Sequence, residues 1–142
     1  MKINALVHFK GQCQEAFQFY AQALGGKVVS MMPYAGTPTE KHVPAEWRDK
    51  IQHATLQVGD NLLMGSDVPP QSQAQQPGGG FAMAVNVDRP EEAEKFFRAL
   101  SEQGTVQMPL AKTFWSPAFG SLVDRYGISW MVNCTPASGE GA

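Results

Sequence analysis

The amino-acid sequence predicts an α+β protein made of two similar halves joined by a linker. Each half contains, in order, a strand, a helix and three further strands. The stretch between them is rich in proline, glycine and glutamine, a composition that builds no hydrophobic core. A weak echo between FQFYAQALGGKVV and EKFFRALSEQGTV supports an internal duplication. We therefore expect one compact domain with modules at residues 1–67 and 81–136, a linker at 68–80 and a flexible tail at 137–142.

In the first half, the apolar run from Met1 to Phe9 predicts a strand, and Gly11 interrupts it before a helix begins near Cys13. The helix is predicted because apolar residues recur at helical spacing on one face, namely Ala16, Phe17, Tyr20, Ala23 and Leu24. Gly25-Gly26 then ends it. Lys27 to Tyr34 is predicted as a strand and Ala35 to Asp49 as a long loop. The strands Ile51 to Val58 and Asn61 to Ser66 then form a hairpin that turns at Gly59-Asp60.

In the second half, strand alternation assigns the residues of the first strand to two faces. Phe81, Met83, Val85 and Val87 are expected in a helix-packed core, and Ala82, Ala84 and Asn86 on the other face. Asp88 is predicted to cap the helix, with Glu91 reaching back as in a capping box. The buried stripe of that helix is Ala93, Phe96, Phe97 and Leu100, and Gly104 ends it. Three strands follow, at Thr105 to Leu110, Phe119 to Val123 and Ile128 to Asn133.

Composition and charge exclude several classes of function. The formal net charge is −2 and the 11 basic residues are scattered, so we expect no nucleic-acid partner. No apolar run approaches the roughly 20 residues that cross a bilayer, and no signal-like core develops at the N-terminus. These patterns predict a cytoplasmic protein without a membrane partner. Cys13 and Cys134 lie far apart outside any CxxC pair and are expected to be free thiols.

Three phrases of the sequence resemble PhnB-like proteins of the glyoxalase, bleomycin-resistance and dioxygenase superfamily, also called the vicinal-oxygen-chelate superfamily. They are HFKGQCQEAFQFYAQALGG, IQHATLQVGDNLLMGSD and TFWSPAFGSLVDRYGISWMVNC, and with the module order they cover the chain to about Pro136. The third is the most specific, because two tryptophans stand at fixed distances from a DxxG turn. The resemblance implies two βαβββ modules whose mixed sheets curl into cups, with helices on the convex side and a ligand or metal on the concave side. It also implies a homodimer, with cups closed by modules within or between chains.

The resemblance also indicates where a metal would bind in the metal-dependent branch of this superfamily. Its ligands come from the first and last strands of each module, and counting from the quoted phrases puts Ala5, Met64, Ala82 and Met131 at those places. Alanine has no donor atom and a thioether is a soft ligand suited to copper(I). We therefore expect no cofactor at this position, although a divalent metal elsewhere stays open.

The histidines are the remaining candidate donors. His8 lies on an apolar strand and is expected to be structural, and His42 in the charged loop beside Glu40 and Glu46 is expected to be solvated. His53 matches the strand pattern of the resembled family and shares a face with Thr55 and Gln57. It is predicted either to line the pocket, where it is the candidate acid or base, or to be a buried structural histidine.

A ligand pocket is predicted on the concave side of the sheets from small and adaptable side chains. Its candidate residues are His53, Thr55, Met64, Ala82, Phe114, Trp115, Trp130 and Met131, which together suit an aromatic or planar organic guest. The alternative is that the aromatic residues fill the core. For Trp115, on the proline-flanked loop KTFWSPAFG, a dimer contact is a third interpretation.

Two functions follow as hypotheses. The leading one is a protein that binds a small organic ligand without the usual metal. The alternative is an enzyme that uses His53 as acid or base, or a non-standard divalent site with Glu40, His42 or Glu46. A methyltransferase, a label sometimes given to PhnB-like proteins, is not favoured, because the chain lacks the glycine fingerprint and alternating βα pattern of a Rossmann fold.

Overall fold

The computed structural model describes residues 1–69 and 81–135 of the chain. Most of the predicted linker and the tail at 137–142 lie outside the described residues. The chain divides into two compact units, Met1–Pro77 and Gly78–Ala142. The first contains β1 (Leu6–Phe9), α1 (Cys13–Leu24), β2 (Lys27–Pro33), two 3₁₀ turns (Glu40–His42 and Ala45–Trp47), β3 (Ile51–Val58) and β4 (Asn61–Asp67). The second contains β5 (Met83–Val87), α2 (Pro90–Ser101), β6 (Thr105–Ala111), β7 (Phe119–Val123) and β8 (Ser129–Cys134).

Each unit holds one four-stranded mixed sheet with the same topology. The strand orders are β1-β4-β3-β2 and β5-β8-β7-β6. In each sheet the first strand pairs in parallel with the last, and the other pairs are antiparallel. Two mixed sheets, each with one helix and neither closed on itself, confirm the predicted α+β class and the βαβββ order of both halves.

Helix α1 forms as its periodicity predicts. Gly25 has a φ of 69°, the left-handed conformation that ends a helix and that glycine adopts without steric cost. The buried face consists of Cys13, Ala16, Phe17, Tyr20 and Ala23. Only Leu24 of the predicted stripe departs from this list, because it is half-buried.

The predicted cap of α2 is wrong. Arg89, not Asp88, is the N-cap, and no side chain caps the helix. The physical reason is Pro90, which occupies the first turn. Proline disfavours helical backbone in the residue before it, and Arg89 is indeed extended, with φ −130° and ψ 142°. The helix therefore begins one residue later than a cap at Asp88 would allow.

A glycine in each sheet shows which face the helix covers. A Cβ on Gly65 of β4 would stand 2.7 Å from two ring atoms of Phe17 in α1. A Cβ on Gly120 of β7 would stand 2.7 Å from a ring atom of Phe97 in α2. The residues that alternate with these glycines lie on the opposite face of each sheet. We call that opposite face the open face of the unit.

Strand register confirms most of the predicted alternation in β5. Val85 pairs with Val132, which is opposite Gly120, so Met83, Val85 and Val87 lie on the helix-packed face and Ala84 and Asn86 on the open face. The prediction that Phe81 belongs to the core is wrong. Phe81 is 85 % exposed and lies before β5 begins. Because Phe81 is not paired in the sheet, strand alternation does not direct its side chain toward the helix.

The buried carboxylate of Asp67 connects the turns of the first unit to its sheet. Asp67, 1 % exposed, accepts hydrogen bonds from the backbone N–H groups of Gly11, Cys13 and Ile51 at 3.0, 2.9 and 2.8 Å. One side chain thereby joins the end of β4 to the start of α1 and the start of β3. Backbone donors of this kind replace water around a buried carboxylate.

Candidate functional site

The open face of the first unit carries two rows of side chains across its strands. Register places Leu6, Met64, Thr55 and Ser30 side by side on β1, β4, β3 and β2. We call this the first methionine row. Two residues along each strand lies the histidine row, which consists of His8, Ser66 and His53, with Met32 beside His53.

The open face of the second unit repeats this arrangement with different side chains. Ala84, Met131, Ser121 and Met108 form the second methionine row. The next row is Asn86, Asn133, Phe119 and Ala111, which we call the asparagine row. Met64 and Met131 therefore occupy equivalent positions, as do Ser66 and Asn133, and His53 and Phe119.

This register locates the four positions that the resemblance marked for a metal. Met64 and Met131 are half-buried and lie on the open faces. Leu6, rather than Ala5, is opposite Met64, and the backbone carbonyl of Ala5 accepts the N–H of Met64 at 3.0 Å. Ala84, rather than Ala82, is opposite Met131, and Ala82 is exposed before β5. The side chains of Leu6 and Ala84 have no donor atom, so each of these two pairs offers a single thioether, that of Met64 in the first unit and that of Met131 in the second.

Within residues 1–69 and 81–135, no group of three or more His, Cys, Asp or Glu side chains is placed to hold a metal ion. The charged loop pairs Glu40 with Arg48, whose Nε lies 3.6 Å from the carboxylate. His42 is exposed in a 3₁₀ turn of that loop.

His53 and Thr55 lie on the open face of β3, half-buried. Across the described part of the chain, the side chains of His53, Thr55 and His8 have no hydrogen bond to another residue. The register that pairs Ala54 with Gly65 brings His53 opposite Ser66, whose other neighbour is His8. Sequence reasoning treated His8 as structural, but its side chain shares the exposed row with His53.

The structure separates Trp130 from the rest of the predicted pocket. Trp130 is 3 % exposed and pairs with Leu122 and Met83 on the helix-packed face. Its indole N–H donates to the Asp124 carboxylate at 2.8 Å. The pocket assignment is corrected here, because adjacent residues of a strand face opposite sides and Met131 takes the open one.

Phe114 and Trp115 lie on the loop between β6 and β7, where they are 97 % and 46 % exposed. Their rings meet edge to face at 4.8 Å, and the Trp115 ring meets that of Phe119 in the same manner at 5.4 Å. The aromatic side chains of this loop therefore contact the open face at Phe119. Phe119 and Asn133 were absent from the predicted site, although period-2 alternation from Ser121 and Met131 would have found both.

Neither helix of the described residues is long and apolar enough to cross a membrane. Both cysteines are buried free thiols, as the sequence predicts. Burial raises the pKa of the Cys13 thiol to about 12, with a further contribution from the neighbouring Asp67 carboxylate. Burial also raises the pKa of the Cys134 thiol, and the nearby negative charges of Asp88, Glu91 and Glu92 raise it further. Such thiols are poor nucleophiles and poor metal ligands.

Two such modules with helices on one face define a class of protein, and comparison with protein families agrees. The sequence model of the glyoxalase/bleomycin resistance protein/dioxygenase superfamily matches residues 2–132. The chain belongs to this superfamily.

Individual relatives are similar over nearly the whole chain. PA1353 from Pseudomonas aeruginosa, whose crystal structure is known, is 44 % identical with a TM-score of 0.82, covering 94 % of this chain and 98 % of that one. A Bacillus cereus structure, named as PhnB and provisionally as a 3-demethylubiquinone-9 3-methyltransferase, is 26 % identical with a TM-score of 0.77, covering 95 % and 100 %. YjdN from Escherichia coli K12 is 26 % identical over 141 residues, 94 % of this chain and 95 % of that protein.

Proposed function

We propose that this protein binds a small organic molecule on an open sheet face, without a metal at the position its superfamily uses for one. The observation that carries the proposal is the equivalence of the two methionine rows. Met64 and Met131 stand at the same place in two sheets, each between an apolar residue and a hydroxyl-bearing one. Thioethers adapt to the shape of apolar ligands and do not favour hard divalent cations.

Exposure of the open faces supports a bound partner. Leu6, Met32 and Met108 are 43 %, 48 % and 47 % exposed, and all three lie on open faces. Large apolar side chains exposed on a sheet face are typical of a surface that binds a ligand or partner. Hydroxyl and amide groups stand between them at Thr55, Ser121 and Asn133, which is the mixture typical of small-molecule sites.

The test is an NMR titration of ¹⁵N-labelled protein with three small probes, indole, p-cresol and cyclohexanol. The proposal predicts saturable shifts for at least one probe at backbone amides of the methionine rows, such as Thr55, Met64, Ser121 and Met131. Amides of the outer surfaces of α1 and α2 serve as internal controls and are expected to stay in place. Shifts that scatter over the helices, or no saturable shift with any probe, would count against the proposal.

A second candidate is an enzyme that uses His53 as acid or base. The observation that favours it is the histidine row, where the half-buried His53 follows the last pair of the β3–β4 ladder, Ala54 with Gly65, and so lies next in register to Ser66. An imidazole beside a hydroxyl is the pairing that general-base activation requires. No equivalent exists in the second unit, where Phe119 takes the place of His53.

Hydrolysis of p-nitrophenyl acetate tests this candidate, because the ester reports any activated hydroxyl or imidazole. His53→Ala is expected to lower the rate about a hundredfold if His53 is the base. His42→Ala, which removes an exposed imidazole, is the matched control and is expected to leave the rate unchanged. Equal rates for the wild type and both variants would reject the role for His53.

A further inference from the structure

The asparagine row differs from the histidine row in a way that specifies a ligand. Asn86, Asn133 and Phe119 replace His8, Ser66 and His53 at equivalent positions. The second unit therefore offers two carboxamides and an aromatic ring where the first offers two imidazoles and a hydroxyl. The second open face therefore offers amide groups for hydrogen bonding and a ring for aromatic contact.

The Asn133 carboxamide has one polar atom without a partner. Its Nδ2 donates to the Oδ1 of Asn86 at 3.2 Å. Its Oδ1 is shielded from solvent and, in the part of the chain that the structure describes, has no hydrogen-bond partner. A buried acceptor left unpaired is unfavourable, and a donor from a ligand would satisfy it. The terminal torsion of asparagine is soft, so the carboxamide can turn to receive that donor.

An aromatic shelf stands directly beside this acceptor. Phe119 is opposite Asn133 on the adjacent strand, and the rings of Trp115 and Phe119 meet edge to face. Phe114 extends the aromatic surface into solvent. We call these three residues the aromatic shelf.

The loop that carries the shelf is held in place by buried hydrogen bonds. Ser116 is 3 % exposed, and its hydroxyl lies 2.7 Å from the carbonyl oxygen of Cys134 and 2.8 Å from that of Ala118. Its backbone N–H donates to the hydroxyl of Thr113 at 3.0 Å. These bonds anchor the loop to the end of β8. A half-exposed tryptophan on an anchored loop is a preformed stacking surface and loses little conformational freedom on binding.

We propose that the second open face binds a planar aromatic molecule that carries an N–H donor, with the ring against Trp115 and Phe119 and the donor on Oδ1 of Asn133. The proposal rests on the proposed function and specifies its ligand class. Met131 and Ser121 lie on the same face one row away, about 7 Å along the strands, and would border a ring of that size. The donor is required by the unpaired acceptor, and the planar ring by the shelf.

Two isomeric probes test the proposal. In 3-methylindole the ring keeps its N–H, whereas in 1-methylindole the same methyl group replaces that hydrogen. The two differ in hydrogen bonding but not in formula, and NMR titration of the ¹⁵N-labelled protein gives both dissociation constants. The wild type is expected to bind 3-methylindole about five- to tenfold more tightly.

Three variants locate the effect. Asn133→Leu removes the acceptor and is expected to equalise the two probes, whereas Asn133→Asp keeps an acceptor and is expected to retain the preference. Trp115→Ala is expected to weaken both probes together. Asn61→Leu, the same change at an exposed turn-end position of the other unit, is the control and is expected to bind as the wild type does.

The outcomes separate this proposal from the broader one. Equal binding of the two probes by the wild type, or a preference that persists in Asn133→Leu, overturns the donor assignment and leaves small-molecule binding standing. Shifts confined to the first unit overturn the assignment of the site. If neither probe nor the panel above produces saturable shifts on an open face, both proposals fail.

Discussion

At the scale of single residues, buried acidic groups hold the turns of this protein in place. Asp67 accepts three backbone N–H groups. Asp124 does the equivalent work in the second unit, where it accepts the N–H groups of Tyr126 and Ile128 and the indole of Trp130.

Asp67→Asn removes one of the two acceptor oxygens and turns an N–H₂ group toward backbone donors. We expect the free energy of unfolding to fall by roughly 2–4 kcal/mol, since buried donors lose their partner. Urea denaturation measures the change. Asp60→Asn, at the exposed β3–β4 turn, is the matched control and should stay within about 0.5 kcal/mol of the wild type. Equal stabilities for the two variants would show that the hydrogen bonds of Asp67 to the backbone do not stabilise the fold.

The raised pKa of Cys13 predicts a protected thiol. Because the folded-state pKa is about 12 and unfolded cysteine ionises near 8.5, the native state holds this proton more tightly. The associated stability is full below roughly pH 8.5 and is lost as the pH rises toward 12. At pH 8, iodoacetamide should modify Cys13 in denaturing urea but not in the native protein, as read by mass spectrometry. Native modification at the unfolded rate would contradict this.

Some residue roles were predictable and others were not. The buried stripe of α1 follows from spacing alone, because amphipathic periodicity fixes one face. Trp130 was misplaced, because aromatic character fits both a pocket and a core. The signal that resolves it is the buried carboxylate of Asp124, six positions earlier, to which the indole donates.

At the scale of secondary-structure elements, glycines in the strands let each helix pack close to its sheet. Gly120 lets α2 approach β7, since a Cβ there would stand 2.7 Å from the Phe97 ring and 3.0 Å from the backbone of Leu110. The ring can shift slightly, but the backbone of the neighbouring strand cannot. The same close approach occurs at Gly65 beneath α1.

Gly120→Ala is expected to destabilise the protein by about 1–3 kcal/mol, because overpacking forces α2 or β6 to move. Ser121→Ala changes the next residue, on the open face, and should stay within about 0.5 kcal/mol of the wild type. Chemical denaturation of both variants measures the contrast. A neutral Gly120→Ala would mean that the helix and strand are loosely packed there.

Element boundaries followed from sequence wherever turn residues bounded a strand on both sides. Ile51–Val58 and Phe119–Val123 were predicted at the bounds that the structure has. The parallel pairing of β1 with β4 and of β5 with β8 rests on contacts distant in sequence, which local propensity does not encode. The open-face rows depend on that pairing, so His8 emerged as a neighbour of the site only from its register with Ser66.

At the scale of the whole molecule, the two units share one topology while the side chains of their open faces differ. The methionine rows are equivalent, yet the next row is imidazole and hydroxyl in one unit and carboxamide and aromatic in the other. In both units the methionine is paired with an apolar residue, Leu6 beside Met64 and Ala84 beside Met131. The same backbone thus supports a different chemistry in each half, as expected where function is carried by side chains on a shared fold.

The central claim is that the methionine rows contact an organic molecule rather than a metal. Methyl NMR of protein labelled at its seven methionines measures this directly, after treatment with a chelator. Addition of 3-methylindole is expected to shift the Met131 methyl resonance saturably, while equimolar Zn²⁺ or Ni²⁺ leaves Met64 and Met131 unchanged. Stoichiometric shifts of these two methyl groups by either ion, with none from the organic probe, would contradict the account.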